Sequence, residues 1–185
     1  MTTNALLLGR LAEPLKEAGL DRVNISIDTL EPEKFKLMTR GGRLDLVWQG
    51  IEAAAAVGMR PIKLNTVVVK DQNEAEVVDL ARLTVDRPWQ VRFLEIMPLE
   101  GVGEVHDRSL VTSEETQARL ERTYGPLEPV AADPADPARL WRIPGAAGTL
   151  GFISPVSAPF CAACNRVRLT ADGKLRLCLL RPDEA

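Results

Sequence analysis

From the N-terminus to about Leu99 the chain alternates helix and strand patterns, and its strands carry apolar residues on one face only. That combination constrains the fold more than any other feature. Residues 5–18 read as a helix stopped at Gly19, with Pro14 an awkward interior residue. Arg22 to Asp28 reads as a strand, Leu44 to Val57 as a helix ended by Gly58, and Pro61 to Lys70 as a β-branched strand. A helix from about Glu74 to Leu83 and a strand from Gln90 to Met97 complete the series. Strands separated by helices of this length predict βαβ units, a parallel sheet and right-handed crossovers. Strand side chains alternate between faces. Asn24, Ser26 and Asp28 therefore share a face, as do Lys63 with Asn65 and Glu95 with Met97. The opposite faces hold Val23, Ile25 and Ile27, then Ile62, Leu64 and Val68, then Leu94 and Ile96. A doubly wound sheet buries both faces and reads apolar throughout. A barrel with a polar interior fits the split better. An antiparallel sheet with one wet face is the plainer alternative, and the intervening helices weigh against it.

After Pro98 the texture changes, which divides the chain into an α/β part over residues 1–99 and a mixed extension over 100–185. Thr112-x-x-Glu115 is a capping box opening a helix to about Tyr124. Residues 128–138 are rich in Pro, Ala and Asp and read as a loop with no chemistry. Short strands follow at Leu140 to Ile143, Thr149 to Ile153, Arg166 to Thr170 and Lys174 to Leu179. Ala171-Asp172-Gly173 supplies the turn that makes a hairpin of the last two.

The hairpin folds Cys178 back toward Cys161 and Cys164, and these three are the only cysteines in the chain. They read Cys-x2-Cys-x13-Cys, with Arg166 and Arg168 just past the second. Three thiolates meeting at one point make a metal site with a coordination position left over, and paired guanidiniums beside it suggest an anionic ligand. A thioredoxin-type pair should open a helix after a strand, whereas Pro159 and Phe160 precede this one. Covalent haem attachment needs His where Asn165 stands. A disulfide framework needs an even count and a secretory signal. Structural zinc with His106 or Asp172 as fourth ligand, and an iron–sulfur cluster, both remain open on the residues alone; the zinc reading would make the chain a stapled binding module without catalytic activity.

Bulk properties narrow the field. The apolar share of 45% suits a globular core, and a net charge of −3 gives no general attraction to nucleic acid. Aromatics at 4% argue against stacking platforms for single strands. No apolar run reaches membrane-spanning length. Three reduced cysteines without a targeting segment fit a cytoplasmic protein.

Five segments then point to a family. Thr2-Thr3-Asn4, Arg22-Val23-Asn24-Ile25-Ser26-Ile27-Asp28, Lys63-Leu64-Asn65-Thr66-Val67, Arg92-Phe93-Leu94-Glu95-Ile96-Met97 and the cysteine–arginine motif occur in that order. Together they resemble the C-terminal portion of the GTP 3′,8-cyclases, radical S-adenosylmethionine (SAM) enzymes that begin molybdenum cofactor biosynthesis. The resemblance implies an incomplete (β/α)6 barrel, its mouth closed by a mixed α+β extension that carries a 4Fe–4S cluster. It implies that Cys161, Cys164 and Cys178 ligate three irons of that cluster, and that the fourth iron stays open to the guanine of GTP. Thr2, Lys63, Arg166 and Arg168 match GTP-contacting positions, with both arginines projecting the same way from one strand; Ser26 and Met97 match positions that hold SAM. Asn65 and Glu95 are weaker candidates for the site, Glu95 serving either the substrate or the balance of an interior arginine. The implied reaction uses a 5′-deoxyadenosyl radical from SAM to convert GTP to (8S)-3′,8-cyclo-7,8-dihydroguanosine 5′-triphosphate, in an enzyme that forms a homodimer and draws on an electron donor. Such chemistry needs a closed cavity and fixed geometry rather than an acid–base pair.

Departures from the family pattern carry their own expectations. The three-cysteine motif of the family's second 4Fe–4S cluster, the one that cleaves SAM, belongs before Thr2, and the family's glycine-ended tail belongs after Ala185. Ala5 stands where the family usually has Gly. The chain accordingly reads as a fragment that cannot cleave SAM alone. The strand from Arg22 to Asp28 is expected to be an open edge, with apolar interior positions exposed, so that the chain associates with the missing half or dissolves poorly.

Overall fold

The computed structural model describes residues 1–98, 108–133 and 136–178. Its centre is a seven-stranded sheet in the order β1-β2-β3-β4-β7-β6-β5. The strands are β1 (Thr2–Thr3), β2 (Val23–Ser26), β3 (Ile62–Val68), β4 (Gln90–Glu95), β5 (Glu128–Val130), β6 (Arg139–Arg142) and β7 (Thr149–Ile153). From β1 through β4 to β7 every pairing is parallel, and β6 and β5 then add on antiparallel. The helices are α1 (Leu8–Glu17), α2 (Pro32–Met38), α3 (Leu44–Ala56), α4 (Val77–Asp86) and α5 (Ser113–Tyr124). A second, two-stranded sheet joins β8 (Arg168–Leu169) to β9 (Leu175–Arg176), the expected hairpin, shorter at both ends than the sequence suggested.

The one-sided strands behave as their parity demands. Val23, Ile25, Ile27, Leu64 and Val68 are buried in one apolar cluster with Val47, Ile51 and Leu80 from the helices. On β3 the residues between, Lys63, Asn65 and Val67, are half-buried. Three strands of the extension, β5, β6 and β7, continue the sheet of the first part, so both parts share one hydrogen-bonded layer. The sheet is open among the described residues, with β1 and β5 at its ends.

Several expectations need correction. Strand β1 covers the flank of β2, so the open edge is Thr2–Thr3 rather than the strand at Arg22–Asp28. Helix α1 starts three residues later than its pattern, because Thr3 Oγ1 and Asn4 Oδ1 accept the N–H groups of Ala5 and Leu6 and hold a turn there. Helix α2 has no counterpart in the sequence reading, although Pro32 at its first turn was a usable signal. The segment 128–138 is not inert: it contains β5 and carries Asp136, an ion-pair partner of Arg92. Among the described residues the exposed large apolar ones are Met1, Leu7, Leu11, Leu37, Val167, Leu169, Leu175 and Leu177, none of them on the inner faces of β2–β4. A split-faced strand hides its apolar side under helices and leaves polar residues on the other, so opening the sheet bares polar groups.

Buried polar groups fasten the C-terminal ends of β2 and β3, where parallel sheets hold their ligands. Asn73 donates to the carbonyls of Asp28 and Val67 and accepts from Val69 N–H. Thr29 Oγ1 and Leu30 N–H donate to Glu76, which also meets Lys34 at 2.6 Å.

Candidate functional site

Register across the parallel strands sorts the polar face into rows. Thr2 lies beside Asn24, Asn24 beside Lys63, Lys63 beside Gln90 and Gln90 beside Thr149. Two residues further along, Ser26 lies beside Asn65, Asn65 beside Arg92 and Arg92 beside Gly151. Leu94 follows, between Val67 and Ile153. The structure thus brings Thr2 and Lys63 into one row and Ser26 and Asn65 into the next.

Glu95 breaks the expected parity. Its register partner is Val68, on the helix-facing side, and Leu94 takes the polar side instead. There the Glu95 carboxylate accepts bonds from Ser113 N–H at the start of α5, from Val156 N–H and Ser157 N–H, and from the Ser157 hydroxyl. Burial alone would raise its pKa, but these bonds together hold it below the ordinary value. These bonds tie α5 to the loop after β7, and Glu95 also lines the cavity that holds the cysteine–arginine motif. The apolar alternation misled because β4 is buried on both faces, with Gln90, Arg92 and Phe93 all inside.

Arg92 and Asp136 belong to the polar face, and sequence reasoning assigned neither. Arg92 is 6% exposed; its Nε donates to Gln90 Oε1 at 2.6 Å and its Nη2 to Asp136 Oδ2 at 3.2 Å. Lys63 Nζ lies 3.8 Å from the same Asp136 oxygen. Burial pushes the Lys63 pKa down, the Arg92 charge adds to that, and Asp136 only partly opposes them. Asn65 Oδ1 is buried and accepts no hydrogen bond among the described residues. An arginine between Val91 and Phe93 was as visible a signal as the lysine between Ile62 and Leu64; Asp136, in a Pro/Ala-rich stretch, gave none.

Beyond the last row the polar face opens into a cavity of about 210 Å³ lined by Leu94, Met97, Pro137, Cys161, Cys164, Arg166, Arg168 and Cys178 among others. All three thiols, both motif arginines and Met97 therefore line one cavity. Strand β8 begins only at Arg168, so Arg166 reaches the cavity from the preceding coil. Its guanidinium carbon sits 4.8 Å from the centre of the Phe160 ring, and its Nη2 donates to Cys164 Sγ at 3.7 Å. Backbone and side-chain bonds from Arg166 hold the Cys164 thiol below its ordinary pKa, which favours the thiolate that metals bind. No disulfide joins Cys161, Cys164 and Cys178. Among the described residues no three His, Cys, Asp or Glu side chains surround a single point. Asp172, the alternative zinc ligand, bonds Thr170 Oγ1 and Lys174 within the hairpin turn. His106, the other, lies outside the described residues, as do the residues after 178. No helix among the described residues is long and apolar enough to cross a membrane.

Comparisons with known proteins match both parts of the chain. Residues 1–84 match the Radical SAM superfamily and residues 89–185 match Molybdenum Cofactor Synthesis C. The chain is 51% identical over 180 residues to the GTP 3′,8-cyclase of Alkaliphilus metalliredigens and 48% identical over 180 residues to that of Moorella thermoacetica. To that of Heliobacterium modesticaldum it is 52% identical over 181 residues. Each match covers 97% of this chain and 55% of the relative, so the chain spans about half the length of the curated relatives it matches.

Proposed function

The chain belongs to the Molybdenum Cofactor Synthesis C family, and from that premise we propose that it forms the GTP-binding portion of a GTP 3′,8-cyclase. The observation that carries this is the continuity of one surface: Lys63 and Arg92 on the polar face of the sheet, leading into a cavity walled by Arg166, Arg168 and three thiols. Cations in two groups on one concave surface suit a ligand with a polyanionic end and a planar end. In this reading Lys63 and Arg92 take the triphosphate with Arg166 and Arg168, and Thr2 contacts the nucleotide from the row it shares with Lys63. Ser26 and Met97, at the C-terminal ends of β2 and β4, hold SAM, and the unsatisfied Asn65 Oδ1 accepts from a ligand donor between them.

Cys161, Cys164 and Cys178 would hold a 4Fe–4S cluster: soft thiolate donors, with Cys164 already biased to the thiolate, fit that group. Bound iron–sulfur and SAM supply the radical chemistry. What this chain's residues contribute is binding, orientation and shelter. The apolar side chains of Leu94 and Ile153 line the same cavity and shelter a reactive centre from water. No acid–base pair is needed in such a site, and the polar face offers cations paired with one carboxylate, and amides, rather than a proton relay. An incomplete (β/α)6 barrel, a SAM-cleaving cluster, an electron donor and a homodimer belong to the complete enzyme in this proposal.

Anaerobic reconstitution with iron and sulfide, followed by EPR of the reduced protein with and without GTP, tests it. A 4Fe–4S signal that GTP perturbs is expected. A colourless protein that binds zinc and ignores GTP would return the three cysteines to a structural staple.

A further inference from the structure

The anion position between Lys63 and Arg92 is already taken by the protein's own carboxylate. Asp136 Oδ2 lies 3.2 Å from Arg92 Nη2 and 3.8 Å from Lys63 Nζ. Its Oδ1 accepts from Ala138 N–H at 2.9 Å, and its own N–H donates to the Asp133 carbonyl at 2.9 Å. The carboxylate is thus held by a backbone N–H, not on a free-swinging side chain. The sheet is shaped for this arrangement. A Cβ on Gly151 would stand 3.0 Å from Arg92 Cγ and 3.3 Å from Ala138 Cβ, so glycine there lets Arg92 and the Asp136 segment pack over β7. Two neighbouring cations with side chains only 20% and 7% exposed would otherwise repel each other in a poorly solvated place.

We propose that Asp136 is a resident counter-ion at this site, occupying the place of a ligand phosphate, so that a polyphosphate binds Lys63 and Arg92 only by displacing the carboxylate or working against it. The inference rests on the reading of this face as the nucleotide's phosphate site. It goes beyond that reading by assigning an opposing role to a residue of the segment 128–138. The carboxylate keeps the two cations paired while no nucleotide is bound and lowers affinity for the polyphosphate, which eases ligand exchange.

Titration of the chain with inorganic tripolyphosphate, followed by calorimetry, tests this, with unaltered protein, Asp136→Asn and Lys63→Ala side by side. The asparagine can still accept from Ala138 N–H. Removing one opposing charge is expected to tighten binding about tenfold at low salt, and the gain should shrink as salt screens it. Asp136→Glu, which keeps the charge, is expected to bind like the unaltered chain. Asp136→Ser serves as the second neutral variant if the asparagine form melts early. Equal or weaker binding by the neutral variants, with Lys63→Ala still impaired, overturns the counter-ion and leaves the phosphate site standing. No binding by any form overturns both together.

Discussion

Under the proposed function, single side chains trade stability against binding. Lys63 is the clearest case. Its pKa is depressed in the folded chain, first by burial, so folding disfavours its charged form. Stability is therefore lower below the folded pKa and recovers as pH rises toward the unfolded value of about 10.4. Lys63→Met is expected to raise the melting temperature at neutral pH while weakening GTP binding about 10- to 100-fold, the worth of a charge-assisted contact; a variant that melts lower would mean the lysine is a structural member. Glu95 shows the opposite linkage. Its folded pKa lies below the ordinary value near 4.5, so its contribution is complete above the unfolded pKa and is lost as pH falls through the folded one. Acid melting of Glu95→Gln should show a shallower loss between about pH 5 and pH 3 than the unaltered chain. Ala5, with φ of 60°, occupies the left-handed region that favours glycine. That gives the glycine which the family resemblance leads one to expect at this position a physical reason.

At the scale of elements, close approach and capping decide more than propensity. Helices α1 and α3 pack together over Gly50, where an added Cβ would come 2.5 Å from the Ala5 carbonyl oxygen. Gly50→Ala is expected to cost about 1–3 kcal/mol in chemical denaturation, since backbone rather than a flexible side chain must move. Helix α5 starts with the capping box read from Thr112 and Glu115, and both halves of it are made. Thr112→Ala should cost about 1 kcal/mol. The β8–β9 hairpin is amphipathic: Leu169 pairs with Leu175 on one face and Arg168 with Arg176 on the other. The apolar face is bare, with Val167, Leu169, Leu175 and Leu177 between 45% and 73% exposed. Its hydrophobic pattern was legible in the sequence. Its exposure was not, because burial depends on what packs against it.

For the whole molecule, two features favour association: the unpaired flank of β1 and the bare apolar residues on α1 and the hairpin. Sedimentation velocity is expected to show concentration-dependent self-association that Leu169→Lys with Leu177→Lys reduces; a monodisperse monomer at all concentrations would count against it. The sequence by itself determined the alternating α/β order, the helix-facing residues of β2 and β3, the capping box, the hairpin and the cysteine–arginine motif. Each of these is written in a local period or spacing that short-range geometry enforces. Only the tertiary structure decided which face Glu95 takes, that Arg92 joins Lys63, that β6 and β7 extend the first sheet, and that Asp136 arrives between the two cations. Those depend on register between strands far apart in the chain, and a one-residue difference in register sends a side chain to the opposite face. On a strand buried on both sides, such as β4, hydrophobic alternation holds no information about that choice, and the decision passes to the neighbours it pairs with.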